Sequence, residues 1–497
     1  MTQILDNLMK KGVLVSPEVI SSQYDEQTIK EVINFFGEDL DILDKELINN
    51  YLYNKKADSK PRVEIIKDYT KESQKRTFQD FVKIFNLRFE NTASILKSRQ
   101  ELGSVSSINR IKRKNRSDKV ATIGMILEKR VTKNKNIIIE LEDPTGLCTA
   151  VIKKTDDNTE LYKEAMDLVL DEVVGITGVW LGGAIFVDNI IFPDVPRTHE
   201  LKKQKKEEYA LFLGDTHFGG KVFMKEAFQK FIDWLNGKIG DEEHKKIISK
   251  IKYIFLAGDT IEGAGIYPGQ EKDLDIIDVK DQYDDAAKWL KKIPSHIQII
   301  STTGNHDTGR LAEPQEKPSK EFAKALYEIP NLTLVSNPAV VNVGKTQDFP
   351  GFNVLLYHGG SLIYYAENIP SIRALGGQRR VDLIMKFLLQ RRHLAPTHGS
   401  TLVLPDPQED FLFIDKVPDF FLTGHIHRAS VANYNNVTMI NSSAWTETTE
   451  DQIKRGLEPL PGRVTIVNLQ SRDVKIINFL TKKQKEEERE KIENAAK

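Results

Sequence analysis

Five short polar clusters have the residue types for joint chemistry: Gly214-Asp-Thr-His217, Gly258-Asp-Thr260, Gly304-Asn-His-Asp307, Tyr357-His-Gly359 and Gly424-His-Ile-His427. Each follows an apolar run that reads as a buried strand. A buried polar atom without a partner costs about 1–3 kcal/mol, so this many polar groups at strand ends implies an occupant. A pair of metal ions meets the need, because imidazole nitrogen and carboxylate oxygen suit manganese, zinc or iron and no thiolate is required. In Asp215-Thr-His217 the alternate residues of an extended segment point the same way. Carboxylate and imidazole then reach one cation while Thr216 faces the fold. His425-Ile-His427 repeats that spacing, and its two imidazoles can share one ion or divide between two. Asp259 has two oxygens with which to bridge two ions, and Asn305 adds a neutral oxygen that limits the negative charge.

The elements that must position these clusters alternate: strand 209–213, helix 224–237, strand 252–257, helix 283–292, strand 297–302, helix 319–328. Strands separated by helices imply a parallel sheet, with ligands beyond the strands' C-terminal ends, where the Asp, Asn and early His clusters fall. The remainder reads as a second, largely antiparallel set of strands near 332–336, 352–357, 420–423, 437–440, 463–469 and 474–479. Two sheets packed face to face with helices outside, an α/β/β/α arrangement, would bring the late histidines over the early aspartates.

Upstream, residues 1–55 read as a small helical module. Ile4, Leu5 and Leu8, then Ile29, Val32, Ile33 and Phe36, then Leu43, Leu47 and Leu52 recur at helical spacing, and Ser16-Pro17 marks a helix start. The module is too small for much core and suits docking. Residues 56–116 read as a linker: Lys55–Pro61, a short strand at Val63–Ile66, a long helix from Thr77 to Leu102, and a basic run with Arg110, Lys112, Arg113, Lys114, Arg116 and Lys119. That run is either a solvated connector or a phosphate-contacting segment. Residues 117–196 give three strands, a helix and two strands, the order of an oligonucleotide-binding (OB-like) five-stranded barrel. Only Trp180 and Phe186 supply aromatics to its strands, so a DNA surface and a structural barrel are equally compatible with it. The clusters occupy residues 205–480, and 481–497 is a charged helical tail expected to fray.

Composition bounds the rest. With 497 residues, 40% apolar and 29% charged, the chain is expected to be a multidomain globular protein. Its 71 basic and 72 acidic residues mean that a polyanion must be met by local patches. The single Cys148 lies in an apolar run, excludes an internal disulfide and reads as a core residue. No apolar run approaches the roughly 20 residues that span a bilayer, and there is no signal pattern at the N-terminus, so a cytoplasmic location is expected.

The ordered set D-x-H, G-D, G-N-H-D, H-G and G-H-x-H, each after a strand, resembles the calcineurin-like metallophosphoesterase superfamily. The resemblance implies one metal held by Asp215, His217, Asp259 and His427 and a second held by Asp259, Asn305, His358 and His425, with Asp259 bridging. Two divalent ions are implied, manganese first, with magnesium, zinc or iron as alternatives. His306 is implied to stay off the metals, to stabilise charge at the scissile phosphate and to protonate the leaving oxygen. The helical piece, the barrel and this domain, with Gly304–Gln315 and Arg391-Arg-His-Leu-Ala-Pro396, are together similar to the small subunits of archaeal family D DNA polymerases. That likeness implies a proofreading 3′-to-5′ exonuclease acting on single-stranded or mispaired 3′ ends of DNA. It would work in a heterodimer with a large polymerising subunit and be associated with the nucleoid. A non-catalytic assembly subunit, or a phosphoesterase for a phosphoprotein or small ester, is the alternative reading.

Several residues keep two readings. Arg310 and Gln315 contact DNA phosphate or secure their loop; Arg379, Arg380, Arg391 and Arg392 line a nucleic-acid groove or a solvated helix face. His358 is preferred as ligand to His393 and His398 because Val354–His358 ends an apolar strand, and His199, His244 and His296 belong to no cluster.

Overall fold

The computed structural model describes residues 63–71, 74–115, 117–449, 452–453 and 457–495 and, within the first 48, residues 8, 12–20, 24–36, 40, 42–45 and 47–48. Ile4, Leu5, Leu52, Arg116 and the Lys55–Pro61 stretch lie outside them. The chain divides into two units, Met1–Arg62 and Val63–Lys497.

In the first unit, helices Pro17–Ile20 and Glu26–Phe36 bury Val19, Ile29 and Val32 together with Leu8, Leu43 and Ile48. It also contains a parallel pair of strands, β1 (Leu14–Val15) and β2 (Ile42–Leu43). A two-residue ladder is too short to leave an alternation in the sequence, and so the expectation of helices alone was incomplete.

The second unit begins where a linker was expected. Residues Val63–Lys67 form β3, which pairs antiparallel with a strand some 270 residues later and is the outer strand of a sheet. The helix Phe78–Lys97 follows, started by a reciprocal Thr77–Asp80 capping box. Its Ile84, Ala93 and Leu96 are buried, and its buried Arg88 donates to the Pro396 carbonyl at 2.8 Å and lies 3.3 Å from Asp410. Asp410 also accepts from His393 Nε2 at 2.9 Å, while His393 Nδ1 accepts the Ala395 N–H. His393 is thus part of a lock between this helix and the later domain, and His398 packs edge-on against Phe81 and Phe85.

The barrel forms from β4 (Lys119–Val131), β5 (Ile137–Asp143), β6 (Gly146–Ile152), β7 (Val173–Leu181) and β8 (Ala184–Ile191), closed in the order β4-β5-β6-β8-β7. Alternate residues point inward: Ile137, Ile139 and Leu141 on β5, and Cys148, Ala150 and Ile152 on β6, are all buried. Burial pushes the Cys148 thiol up to about 12, consistent with an inert core residue. Trp180 is buried in the same core, and Phe186 has Lys153 over its ring, so these two do not form an open stacking platform. The barrel packs on the following domain. Glu172 and Arg391, both buried, make an ion pair at 2.9 Å, Asp171 accepts from the His398 N–H, and Tyr434 donates to Asp194. Arg391 therefore does not line a groove. Nor does Arg392, whose guanidinium donates to the carbonyls of Ile414 and Asp415.

The remaining strands make two six-stranded sheets. One holds β9 (Tyr209–Leu213), β10 (Ile251–Leu256), β11 (Gln298–Ser301), β12 (Leu332–Leu334), β18 (Arg463–Asn468) and β19 (Val474–Asn478) in the order β12-β11-β10-β9-β18-β19. The other holds β3, β13 (Ala339–Val343), β14 (Phe352–Leu356), β15 (Phe420–Thr423), β16 (Ser430–Tyr434) and β17 (Val437–Asn441) in the order β16-β17-β15-β14-β13-β3. They face each other through one apolar layer in which Phe212, Phe255 and Ile300 meet Phe352, Val354, Phe420 and Ile440. Helices cover the outer faces, with Phe228, Phe231 and Trp289 on one side and Tyr365, Ile384 and Leu388 on the other. The α/β/β/α arrangement is present, but the allocation of strands differs from expectation. β12 joins the first sheet in parallel, and β18 and β19 close that sheet antiparallel. The second sheet is mixed, because β14, β15 and β17 run parallel.

The tail Lys482–Ala495 is helical and is not free at its centre: Glu488 is buried and accepts from Thr448 Oγ1 at 2.6 Å. Among the described residues no helix is long and apolar enough to cross a membrane.

Candidate metal centre

The polar clusters meet where the two sheets' loops converge. Asp215 and His217 follow β9, Asp259 follows β10, Asn305 and His306 follow β11, His358 follows β14, and His425 and His427 follow β15. Three groups of donor atoms result among the described residues, one from Asp215, His217 and His427, one from Asp259, His358 and His425, and one from His217, Asp259 and His306. The Asp259 carboxylate stands between His358 and His217, with Oδ2 3.2 Å from His358 Nε2 and 3.8 Å from His217 Nε2. Asn305 Oδ1 is 2.9 Å from His358 Nε2, and His427 Nε2 is 3.5 Å from Asp215 Oδ1. The structure thus brings each expected ligand set together across more than 200 positions of chain.

Comparison with known proteins agrees with that convergence. Residues 210–429 match the calcineurin-like phosphoesterase family. The DNA polymerase II small subunit of Methanothermobacter thermautotrophicus is 38% identical over 390 residues, which cover 78% of this chain and 77% of that protein. That of Archaeoglobus fulgidus is 37% identical over 445 residues, 86% of each, and that of Pyrococcus abyssi is 36% identical over 403, 80% of this chain and 63% of that protein. This chain belongs to the archaeal DNA polymerase II small-subunit family. Its phosphoesterase domain implies divalent metal ions as cofactor.

The donor chemistry in this small-subunit family member fits such ions. His217 Nδ1 contacts Glu262 Oε2 at 2.9 Å, which places the ring proton there and turns the Nε2 lone pair toward His427 Nε2, only 3.3 Å away. His358 Nδ1 donates to the Ala257 carbonyl at 2.8 Å, so its Nε2 lone pair faces the oxygens of Asn305 and Asp259. Acceptors aimed at acceptors repel unless a cation or proton lies among them. Burial alone would lower the His358 imidazole, but the Asp259 carboxylate, with Asp215, pushes it up to about 10. Burial and the neighbouring His358 push His425 down to about 3, which leaves it a neutral donor. Burial opposes ionisation of Asp259, yet the His358 and His306 rings hold its carboxyl well below the ordinary range.

The backbone differs from the extended segment expected at the D-x-H and H-x-H sites. Asp215, His217, Asp259, His425 and His427 have φ of 49°, 49°, 47°, 67° and 56°, all left-handed. Such conformations cost of order 1–3 kcal/mol for a residue other than glycine and persist where surroundings over-determine them. Here Asp215 N–H donates to Gly258 O, His217 N–H to Asp259 O, and His425 N–H to Asp215 Oδ1, each at 3.0 Å. Thr216, between the ligands, turns into the fold and donates to Thr260 O. Two glycines serve close approach: a Cβ on Gly424 would lie 2.6 Å from Asp215 Oδ2, and one on Gly304 would overlap Asp259 Oδ1.

Sequence reasoning passed over the groups that orient the ligands. Glu262 holds His217 and lies beside His306, whose Nδ1 donates to the Glu262 carbonyl at 2.7 Å. Its signal was present in Gly258-Asp-Thr-Ile-Glu262, an acid three residues beyond Asp259. Asp307 accepts from the N–H groups of Gly304 and Thr260, and burial with nearby Asp259 pushes it up to about 6. Glu313 accepts from Tyr357 Oη beneath His358, and burial pushes it up to about 7. Arg310 is engaged in its own loop: its guanidinium pairs with Glu316 at 2.7 Å, donates to Pro314 O and covers the Tyr69 ring. Gln315 donates to the carbonyls of Gly304 and Arg310. Both contacts correspond to the loop-securing alternative.

Proposed function

We propose that this chain is a metal-dependent 3′-to-5′ exonuclease that removes nucleotides from single-stranded or mispaired DNA ends, working as the small subunit beside a large polymerising subunit. The observation that carries the reading is the complete ligand constellation around Asp259, with His306 on its half-buried side. A chain kept only for assembly has no need of eight such side chains, five of them in strained backbone. The relatives are by name small subunits of a DNA polymerase, which supports a DNA phosphodiester over a phosphoprotein.

Asp215, His217, Asp259 and His427 would hold one ion, and Asp259, Asn305, His358 and His425 the other; manganese is the metal proposed first. Bound there, two divalent ions supply Lewis-acid activation of water and neutralise charge on the phosphate. The protein's own groups orient and protonate. The Asp259 carboxylate accepts the His306 N–H at 2.8 Å, which fixes the loop carrying the imidazole. Burial disfavours the charged ring, but Asp259 and Glu262 raise it above its ordinary value. Its Nδ1–H is committed to the Glu262 carbonyl, so Nε2 is the atom that carries a proton to the departing 3′ oxygen.

The test is incubation of the purified protein with manganese, then with EDTA, against a duplex with a mispaired 3′ end and against a generic aryl phosphate ester. Stepwise loss of 3′ nucleotides is expected as the main activity, abolished by EDTA and by Asp259→Ala and His306→Ala. Nucleolysis that persists in both variants, or turnover of the aryl ester alone, would overturn the reading.

A further inference from the structure

A cavity of about 450 Å³ lies against the loop that carries His425 and His427. One wall is the ligand loop itself, since Ile426 lies between His425 and His427 and Arg428 follows them. Leu460 N–H donates to His427 O, which ties the neighbouring Leu457–Glu458 wall to the same loop. Three arginines from three elements line the space: Arg373 on the helix Pro370–Ala374, Arg379 on the turn Gly377–Arg380, and Arg428. The size lies within the range of ligand sites, roughly 300–1,000 Å³.

Two of the arginines converge on one anion. Arg379 Nη1 donates to Glu458 Oε1 at 3.1 Å, and Arg428 Nη1 donates to Glu458 Oε2 at 3.3 Å and to the Glu458 carbonyl at 2.8 Å. A carboxylate gripped by two guanidinium groups occupies the geometry that arginine also offers to phosphate. Arg373, exposed on the cavity wall, makes no ion pair among the described residues. Glu367 also lines the space, so displacement of the exposed Glu458 side chain leaves three positive charges against one negative.

We propose that this cavity binds the backbone phosphates of the DNA strand whose 3′ end enters the metal centre. Arg379 and Arg428 take a phosphate in place of the Glu458 carboxylate, and Arg373 takes its neighbour. The assignment rests on the phosphodiesterase reading of the metal centre and names the path by which the strand arrives. Arg380 lies on the same turn, is held by Asp382 at 2.7–2.9 Å and does not line the cavity. It separates a local contact from a loss of overall charge.

Fluorescence anisotropy of a labelled oligothymidylate in EDTA, where no turnover occurs, tests the cavity separately from catalysis. Arg379→Gln combined with Arg428→Gln is expected to weaken binding at least about tenfold and to lower the slope of log K against log salt by about 0.7, the share of one single-strand phosphate. Arg380→Gln should leave both as in the wild type, and Glu458→Gln should tighten binding about threefold. Unchanged affinity and slope in the double variant, or an equal loss in Arg380→Gln, would overturn the cavity assignment while leaving the nuclease reading standing. Binding that depends on the arginines in a protein without metal-dependent cleavage would do the reverse.

Discussion

The Nε2 atoms of His217 and His427 face each other across 3.3 Å although the residues are 210 positions apart. Two ring nitrogens at that distance repel unless a cation or a proton lies between them, and a shared divalent ion meets that need. Replacing one should therefore release one ion and keep the other. After dialysis against manganese, elemental analysis is expected to give two ions per wild-type chain, about one for His427→Ala and fewer than one for Asp259→Ala, which serves both ligand sets. Equal ion content in His427→Ala and the wild type would contradict this geometry.

Glu262 acts through the Nδ1 sides of His217 and His306 and is itself in neither ligand set. Glu262→Gln keeps the shape and removes the charge that holds the His217 ring proton. Groups of this kind change metal affinity or activity by about 10–100-fold. A metal titration followed by activity is expected to show a midpoint shifted within that range, with part of the rate recovered at high metal. A variant that behaves as wild type at limiting metal would show Glu262 to be a passive neighbour.

Close approach at Gly304 gives a prediction about a single methyl group. Gly304→Ala should displace the Asp259 carboxylate, since the new Cβ would overlap Oδ1. Ion binding and nuclease activity are then both expected to fall more than about tenfold, the order associated with small misplacements in an active site. Gly399→Ala is the control for activity: Gly399 is exposed and a Cβ there meets nothing within 4 Å, so its left-handed φ of 84° costs stability without displacing a ligand.

How much of this was legible in the sequence depended on whether the signal was local. The five clusters, the barrel order and the strand ending at His358 were readable because each is an apolar run followed by a polar stop. The left-handed backbone at Asp215 and His427 was not, because non-glycine residues carry no mark of it and the hydrogen bonds that enforce it come from other strands. Membership of sheets was lost for the same reason. β12, β18 and β19 look like any short strand, and only the pairing of β12 with β11, of β18 with β9 and of β19 with β18 assigns them to the first sheet. β13 and β16, Ala339–Val343 and Ser430–Tyr434, went unread beside longer apolar runs, and β3 was read as a strand but left within a linker, since its partner lies in the distant β13. Arg391 looked like a surface charge, and its buried partner Glu172 sits on the edge of another fold element.

The lock between the long helix and the phosphoesterase domain predicts a stability effect. Arg88 and Asp410 are both buried, and removing one partner of a buried pair leaves an uncompensated charge worth about 3–5 kcal/mol. Arg88→Met is expected to lower stability by about 3 kcal/mol, read from the shift of the chemical unfolding midpoint by tryptophan fluorescence. A shift below about 1 kcal/mol would show that the helix is held by its apolar face alone.

The same lock predicts a pH response. Burial, with the Arg88 charge, pushes His393 down to about 4, below the ordinary value of roughly 6.5. The unfolded chain therefore binds the proton first, and stability is lost as pH falls from about 6.5 toward 4 and is constant above that window. The Asp410 carboxyl, held below its ordinary range by His393 and Arg88 against burial, adds a loss of the same sign at lower pH. Thermal denaturation from pH 7.5 to 5 should fall more steeply for the wild type than for His393→Gln. Parallel curves would remove His393 from the account.

Anomalous diffraction at the manganese edge, from crystals of this chain soaked in manganese chloride, tests the central claim most directly. Two peaks are expected on either side of the Asp259 carboxylate, one against His217 and His427 and one against His358 and His425. A map with no peak at Asp259, or with manganese bound only elsewhere on the chain, would contradict it.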